Sequence, residues 1–114
     1  MESWDLTAIP TPGGTLSPVV LHSSEMRAVL IGFDPGQELG DHQVKEHAWI
    51  VVLDGEIEAE RGGERVTAGP GTLLSFPPDE RHAVRSVDGA RILLLLSPWP
   101  GVGHYWSGHD PAAA

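Results

Sequence analysis

At 114 residues with no cysteine, the chain is sized for one domain, and disulfides, thiolate metal sites and cysteine nucleophiles are excluded. A formal net charge of −9 disfavours nucleic acid and anionic membranes, because binding to either is driven by lysine and arginine neutralising phosphate. Fourteen glycines and ten prolines between regular apolar runs point to short strands joined by turns.

The N-terminus, MESWDLTAIP, has no basic n-region and no apolar h-region, so no signal peptide is expected. The longest apolar runs are about six residues, far short of the ~20 a membrane helix needs. The expectation is a cytoplasmic protein. Residues 1–15 read as a tail that Trp4, Leu6 and Ile9 could lay onto the domain as an edge strand.

Strands are then predicted at 19–22, 27–33 and 48–53, the second stopped by Asp34-Pro35-Gly36 and the third by Asp54-Gly55. Residues 56–60 alternate with period two, which puts Ile57 and Ala59 inward. Arg61-Gly62-Gly63-Glu64 is a hairpin turn, and Val66 and Ala68 continue the alternation. Residues 72–76 form a strand ended by Pro77-Pro78-Asp79. In 81–87, His82, Val84 and Ser86 share one face. Asp88-Gly89 is a two-residue hairpin signal, and 92–96 is a continuous apolar strand. The tail 97–114 carries Trp99, Tyr105 and Trp106. No segment holds a 3.6-residue period, so the fold class is all-β, an antiparallel sandwich or barrel.

Runs 48–53 and 92–96 are apolar on both faces, whereas a sheet with one wet face would alternate. The outer face is therefore expected to be covered, by a tail or by a second copy of the chain. A homodimer is the favoured expectation, with Trp49, Val51 and Leu53 outward.

The stretch Pro35 to Gly55 gathers His42, Glu46 and His47 within six residues, between a turn and an apolar strand. A metal or small-molecule site on a β-scaffold needs this kind of arrangement. There is no P-loop, no dinucleotide fingerprint, no H-E-x-x-H and no G-x-S-x-G elbow.

The spacing also resembles a known family, the small single-domain cupins. Their first motif reads G, five residues, H-x-H, three or four residues, E, six residues, G. Here it runs Gly36, five residues, His42-Gln43-Val44, three residues, Ala48, six residues, Gly55. Their second motif reads G, five residues, P-x-G, two residues, H, three residues, N. Here it runs Gly71, five residues, Pro77-Pro78-Asp79, two residues, His82, three residues, Ser86. The resemblance implies a jelly-roll barrel, the antiparallel double-stranded β-helix, with its core at about 17–97.

Metal-binding cupins usually take their ligands from the two histidines and the glutamate of the first motif and the histidine of the second. Carried over, His42 and His82 are kept, while Val44 and Ala48 replace the other two. Two ligands do not hold a tight site. If residues 43–47 form a turn or bulge, strand parity is not enforced there, and His47 or Glu46 could reach the vacated positions. The expected metal set is then His42, His47 and His82. Glu46 would be a further ligand or a catalytic proton acceptor. Such a site would suit a divalent transition metal, iron, manganese, nickel, zinc or copper.

Three functions follow as expectations. The first is a metal-dependent oxygenase or isomerase acting on a small organic molecule. The second is a metal-free module that binds a small molecule in a pocket made apolar by Val44 and Ala48. The third, a metal-free epimerase, needs a buried tyrosine, and the only tyrosine is Tyr105 in the tail.

Overall fold

The structure, a computed structural model, describes residues 1–11 and 18–103, with Asp41 and His42 as backbone only. His104, Tyr105, Trp106 and His109 lie outside the described residues. Seven strands form among the described residues: β1 (Val19–Ser23), β2 (Arg27–Phe33), β3 (Glu38–His42), β4 (His47–Arg61), β5 (Glu64–Ala68), β6 (Leu73–Phe76) and β7 (His82–Ser97). Every pairing is antiparallel.

Two long strands organise the fold. β4 and β7 pair from His47↔Ser97 to Glu60↔Ala83, with register shifts between Val52 and Asp54 and between Gly55 and Ile57. On one side of the shifts, their outer halves are flanked by β6 and by β2, which carries β1. On the other side, they are flanked by β5 and β3. The result is two sheets that share two bent strands, as a double-stranded β-helix requires.

The bend corrects two expectations. Asp54-Gly55 and Asp88-Gly89 are not strand-ending turns. Both strands run through them. Gly55 and Gly89 have φ of 72° and 99°, and a Cβ on Gly55 would collide with the Gly89 carbonyl. The two glycines let the strands cross closely while they turn the corner. Ser86 braces this point: it is fully buried, and its Oγ accepts the Gly89 N–H at 2.6 Å.

β3 was not anticipated, because ELGDH has one aliphatic residue and a glycine and so shows no alternation. It is a strand because β7 offers it an edge. The Gly62-Gly63 hairpin between β4 and β5 forms as expected, with φ of 53° and 87°.

The core lies between the sheets. Val29, Ile31, Ile50, Val52 and Ile92 come from one sheet, and Ile57, Ala59, Ala68 and Val84 from the other. Each fully buried aliphatic side chain contributes about 1.5–3 kcal/mol. The ion pairs, such as Arg85 Nε to Glu58 at 2.7 Å, are half or more exposed on at least one side, where water and salt screen them. Apolar burial therefore dominates.

Trp49, Val51 and Leu53 alternate with the buried Ala48, Ile50 and Val52, so they face outward as expected. The N-terminal segment is not an edge strand. It crosses the outer face as coil, with a turn in which Ala8 N–H donates to the Asp5 carbonyl. Arg91 holds it by donating to the carbonyls of Thr7 (3.4 Å) and Ile9. Among the described residues, no helix is long and apolar enough to cross a membrane.

Candidate functional site

Three connections close one end of the barrel: residues 43–46, 77–81 and 98–101. Polar contacts clasp them together. Asp79 N–H donates to the Val44 carbonyl at 2.8 Å, and Lys45 Nζ lies 2.8 Å from Asp79 Oδ1. Asp79 has φ of 64°, a left-handed conformation that aspartate tolerates better than most residues. It stands where the second motif has its glycine.

His82 opens β7 immediately after this clasp. Its side chain is 3% exposed and points inward with Val84 and Ser86, as the alternation predicted. Nδ1 lies 3.0 Å from the Glu80 carbonyl. A carbonyl only accepts, so Nδ1 carries a proton and donates it to Glu80. The ring stacks on Phe76, with centroids 4.0 Å apart and planes 15° from parallel. Phe76 is inward because it pairs with Ala48, which is 2% exposed. Val44, Leu74 and Leu94 pack against the same core.

The backbone register places His42 directly opposite His82. The two motif histidines are therefore brought together across adjacent strands. Val44 and Ala48, at the other two ligand positions, both present apolar surface to the interior.

The remaining candidates are directed elsewhere. His47 already belongs to β4, so parity is enforced, and it shares the outer face with Trp49. It stacks on Trp49 at 4.2 Å, and its Nε2 lies 2.7 Å from Ser75 Oγ on β6. The 43–46 connection ends one residue too early to turn His47 inward. Glu46 is fully buried, and its Oε2 accepts the Gly101 N–H at 2.6 Å. Its place is between the connection and the C-terminal segment, where a Cβ on Gly101 would press on the Lys45 carbonyl at 2.8 Å. Among the described residues, no three His, Asp or Glu side chains converge to hold a metal ion. Of the expected set His42, His47 and His82, His82 faces the interior, while His47 lies on the opposite face of β4 from the inward Ala48.

A groove of about 110 Å³ runs between the edges of β5 and β6, with Ala59 and Phe76 along it. Arg61 Nη1 and Glu80 Oε2 form a 3.1 Å ion pair at its side. Sequence reasoning missed Phe76 and Glu80 as parts of the site. The parity of Phe76 with Leu74 was a usable signal. The Glu80 contribution is a backbone carbonyl and leaves no trace in residue type.

The comparisons with known proteins agree with this architecture. The family model for the cupin domain matches residues 29–97. An RmlC-like cupin protein from Desulfovibrio desulfuricans is 31% identical, with a TM-score of 0.75, covering 86% of this chain and 97% of that one. KdgF from a Halomonas species is 26% identical, with a TM-score of 0.66, covering 71% and 76%. A protein with a double-stranded β-helix domain from Klebsiella pneumoniae has a TM-score of 0.78 at 16% identity, covering 89% and 93%, a likeness of fold alone. No curated protein matches the chain.

Proposed function

This chain belongs to the cupin family, and on that premise we propose that its barrel binds a small organic molecule in an apolar pocket, with His82 as the polar anchor. The observation that carries this reading is the buried His82 ring. One nitrogen is committed to a carbonyl, one face is covered by Phe76, and Val44 and Ala48 stand where further ligands would be. A buried imidazole held in this way can exchange a hydrogen bond or a proton with a ligand hydroxyl or amine. Excluding water around it strengthens that bond. A ligand with an apolar body and one such donor is the chemical class that fits.

One observation favours a second reading. A hydrogen bond from the far nitrogen to a carbonyl is also what orients a metal-ligating histidine. A divalent transition metal held by His42 and His82, completed by water or substrate, would put the protein with the oxygenase- and isomerase-like members of its family. His47 and Glu46 take no part in either reading. We also propose that the protein acts in the cytoplasm as a homodimer, through the outward Trp49, Val51 and Leu53.

Native mass spectrometry of the untagged full chain, before and after loading with iron, nickel, manganese and zinc, tests the ligand, metal and dimer readings together. The expected result is a dimer that takes up no stoichiometric metal. Small hydroxyl- or amine-bearing organic molecules bind it, and His82→Ala loses them. One metal per chain, lost in His82→Ala and kept in His47→Ala, would replace the first reading with the second. Ligand binding that is unchanged in His82→Ala would overturn both.

A further inference from the structure

A larger cavity, of about 460 Å³, lies outside the barrel between the N-terminal segment and the outer sheet face. Its floor is Leu21, Ala28, Leu93 and Leu95, and its cover is Trp4 and Leu6. The volume falls within the range of about 300–1,000 Å³ typical of small-molecule sites. The cover is held from below: Arg91 grips the carbonyls of Thr7 and Ile9, and Gly32 leaves room for Thr11, whose side chain a Cβ would strike. The polar groups at the cavity are Glu2, Glu25 and His22. His22 Nε2 lies 3.1 Å from Glu25 Oε1, which pins that carboxylate at the edge. Hydrogen bonds from its own backbone and from His22 hold the Glu25 carboxyl below its ordinary range, so it stays ionised. Among the described residues, no lysine or arginine lines the cavity.

We propose that this cavity is a second binding site, for a small organic cation with an apolar tail, such as an alkylammonium. The tail lies on the leucine floor beneath Trp4 and Leu6. The ammonium group sits between the Glu2 and Glu25 carboxylates, with the Trp4 indole, 42% exposed, presenting its negative face to it. An anionic amphiphile of the same length meets the same floor but two like charges, in a chain of net charge −9. The site is separate from the His82 end of the barrel, and it stands or falls independently of the reading given for that end.

The test is a titration of the full-length protein with decyltrimethylammonium and, separately, decyl sulfate, both below their micelle concentrations. Amide and indole chemical shifts are followed throughout. The expected result is a shift of the Trp4 indole and of Leu93 and Leu95, with the cation bound at least about fivefold more tightly than the anion. Arg91→Ala, which frees the cover, abolishes binding. Glu2→Gln with Glu25→Gln keeps the cavity and removes the preference for the cation. Equal affinity for the two probes in the unaltered protein would overturn the proposal. So would shifts confined to Phe76 and His82. Concentration-dependent self-association that protects Trp4 without any ligand would assign the cavity to a second copy of the chain and overturn it too.

Discussion

His82 and His47 are two histidines in similar local company and opposite situations. Each stacks on an aromatic ring, Phe76 for one and Trp49 for the other, and each has a ring nitrogen at hydrogen-bond distance from an oxygen. Yet His82 is 3% exposed inside the barrel, while His47 lies on the outer face beside the exposed Ser75. The difference is a single step of strand parity. His47 immediately precedes the inward Ala48, and in a regular strand one residue reverses the direction of the side chain. Proximity to a motif in sequence therefore does not decide which face a side chain takes.

The largest expected effect sharpens this contrast. Phe76→Ala removes a buried ring from the interior and should cost about 3–5 kcal/mol in chemical denaturation. Trp49→Ala removes the ring that backs His47 on the half-covered outer face and should cost clearly less. Equal costs would mean that the outer face is as enclosed as the core, which is what a tight dimer would produce.

An intermediate effect is expected at Glu46. Glu46→Gln keeps the shape but changes the acceptor of the buried Gly101 N–H, a hydrogen bond worth about 0.5–1.5 kcal/mol. Faster amide exchange at Gly101, with His82 chemical shifts unchanged, is the expected outcome. A large shift at His82 would return Glu46 to the site.

The smallest effect concerns the cover of the outer face. Hydrogen bonds from Thr7, first from its side chain and then from its backbone, hold the Asp5 carboxyl below its ordinary value of 3.8. A carboxyl depressed in the folded state contributes stability that is present above its unfolded value and is lost as pH falls through the lower folded one. Protection factors of the amides of residues 1–11, taken relative to the intrinsic exchange rate at each pH, should therefore fall on acidification through that window, and Asp5→Asn should abolish the step.

Much of this was legible from residue order. The inward faces of 56–60 and 82–86, the outward Trp49, Val51 and Leu53, the Gly62-Gly63 hairpin and the cupin motif spacings all follow from period two and turn chemistry. Those are local properties, set within a few residues along the chain. What failed was also systematic. Asp54-Gly55 and Asp88-Gly89 carry the residue types of a hairpin turn, but a close strand crossing needs the same positive φ. β3 has no alternation of its own and exists because β7 has a free edge to pair. His47 looked available because the length of the connection before it was unknown. In each case the deciding partner lies tens of residues away: Gly89 for Gly55, Val84 for Leu39, Ser75 for His47. The local sequence thus determined which backbone states and which alternating faces each segment could adopt. The tertiary structure decided which of those states were used, because the choice depended on what packed against each segment.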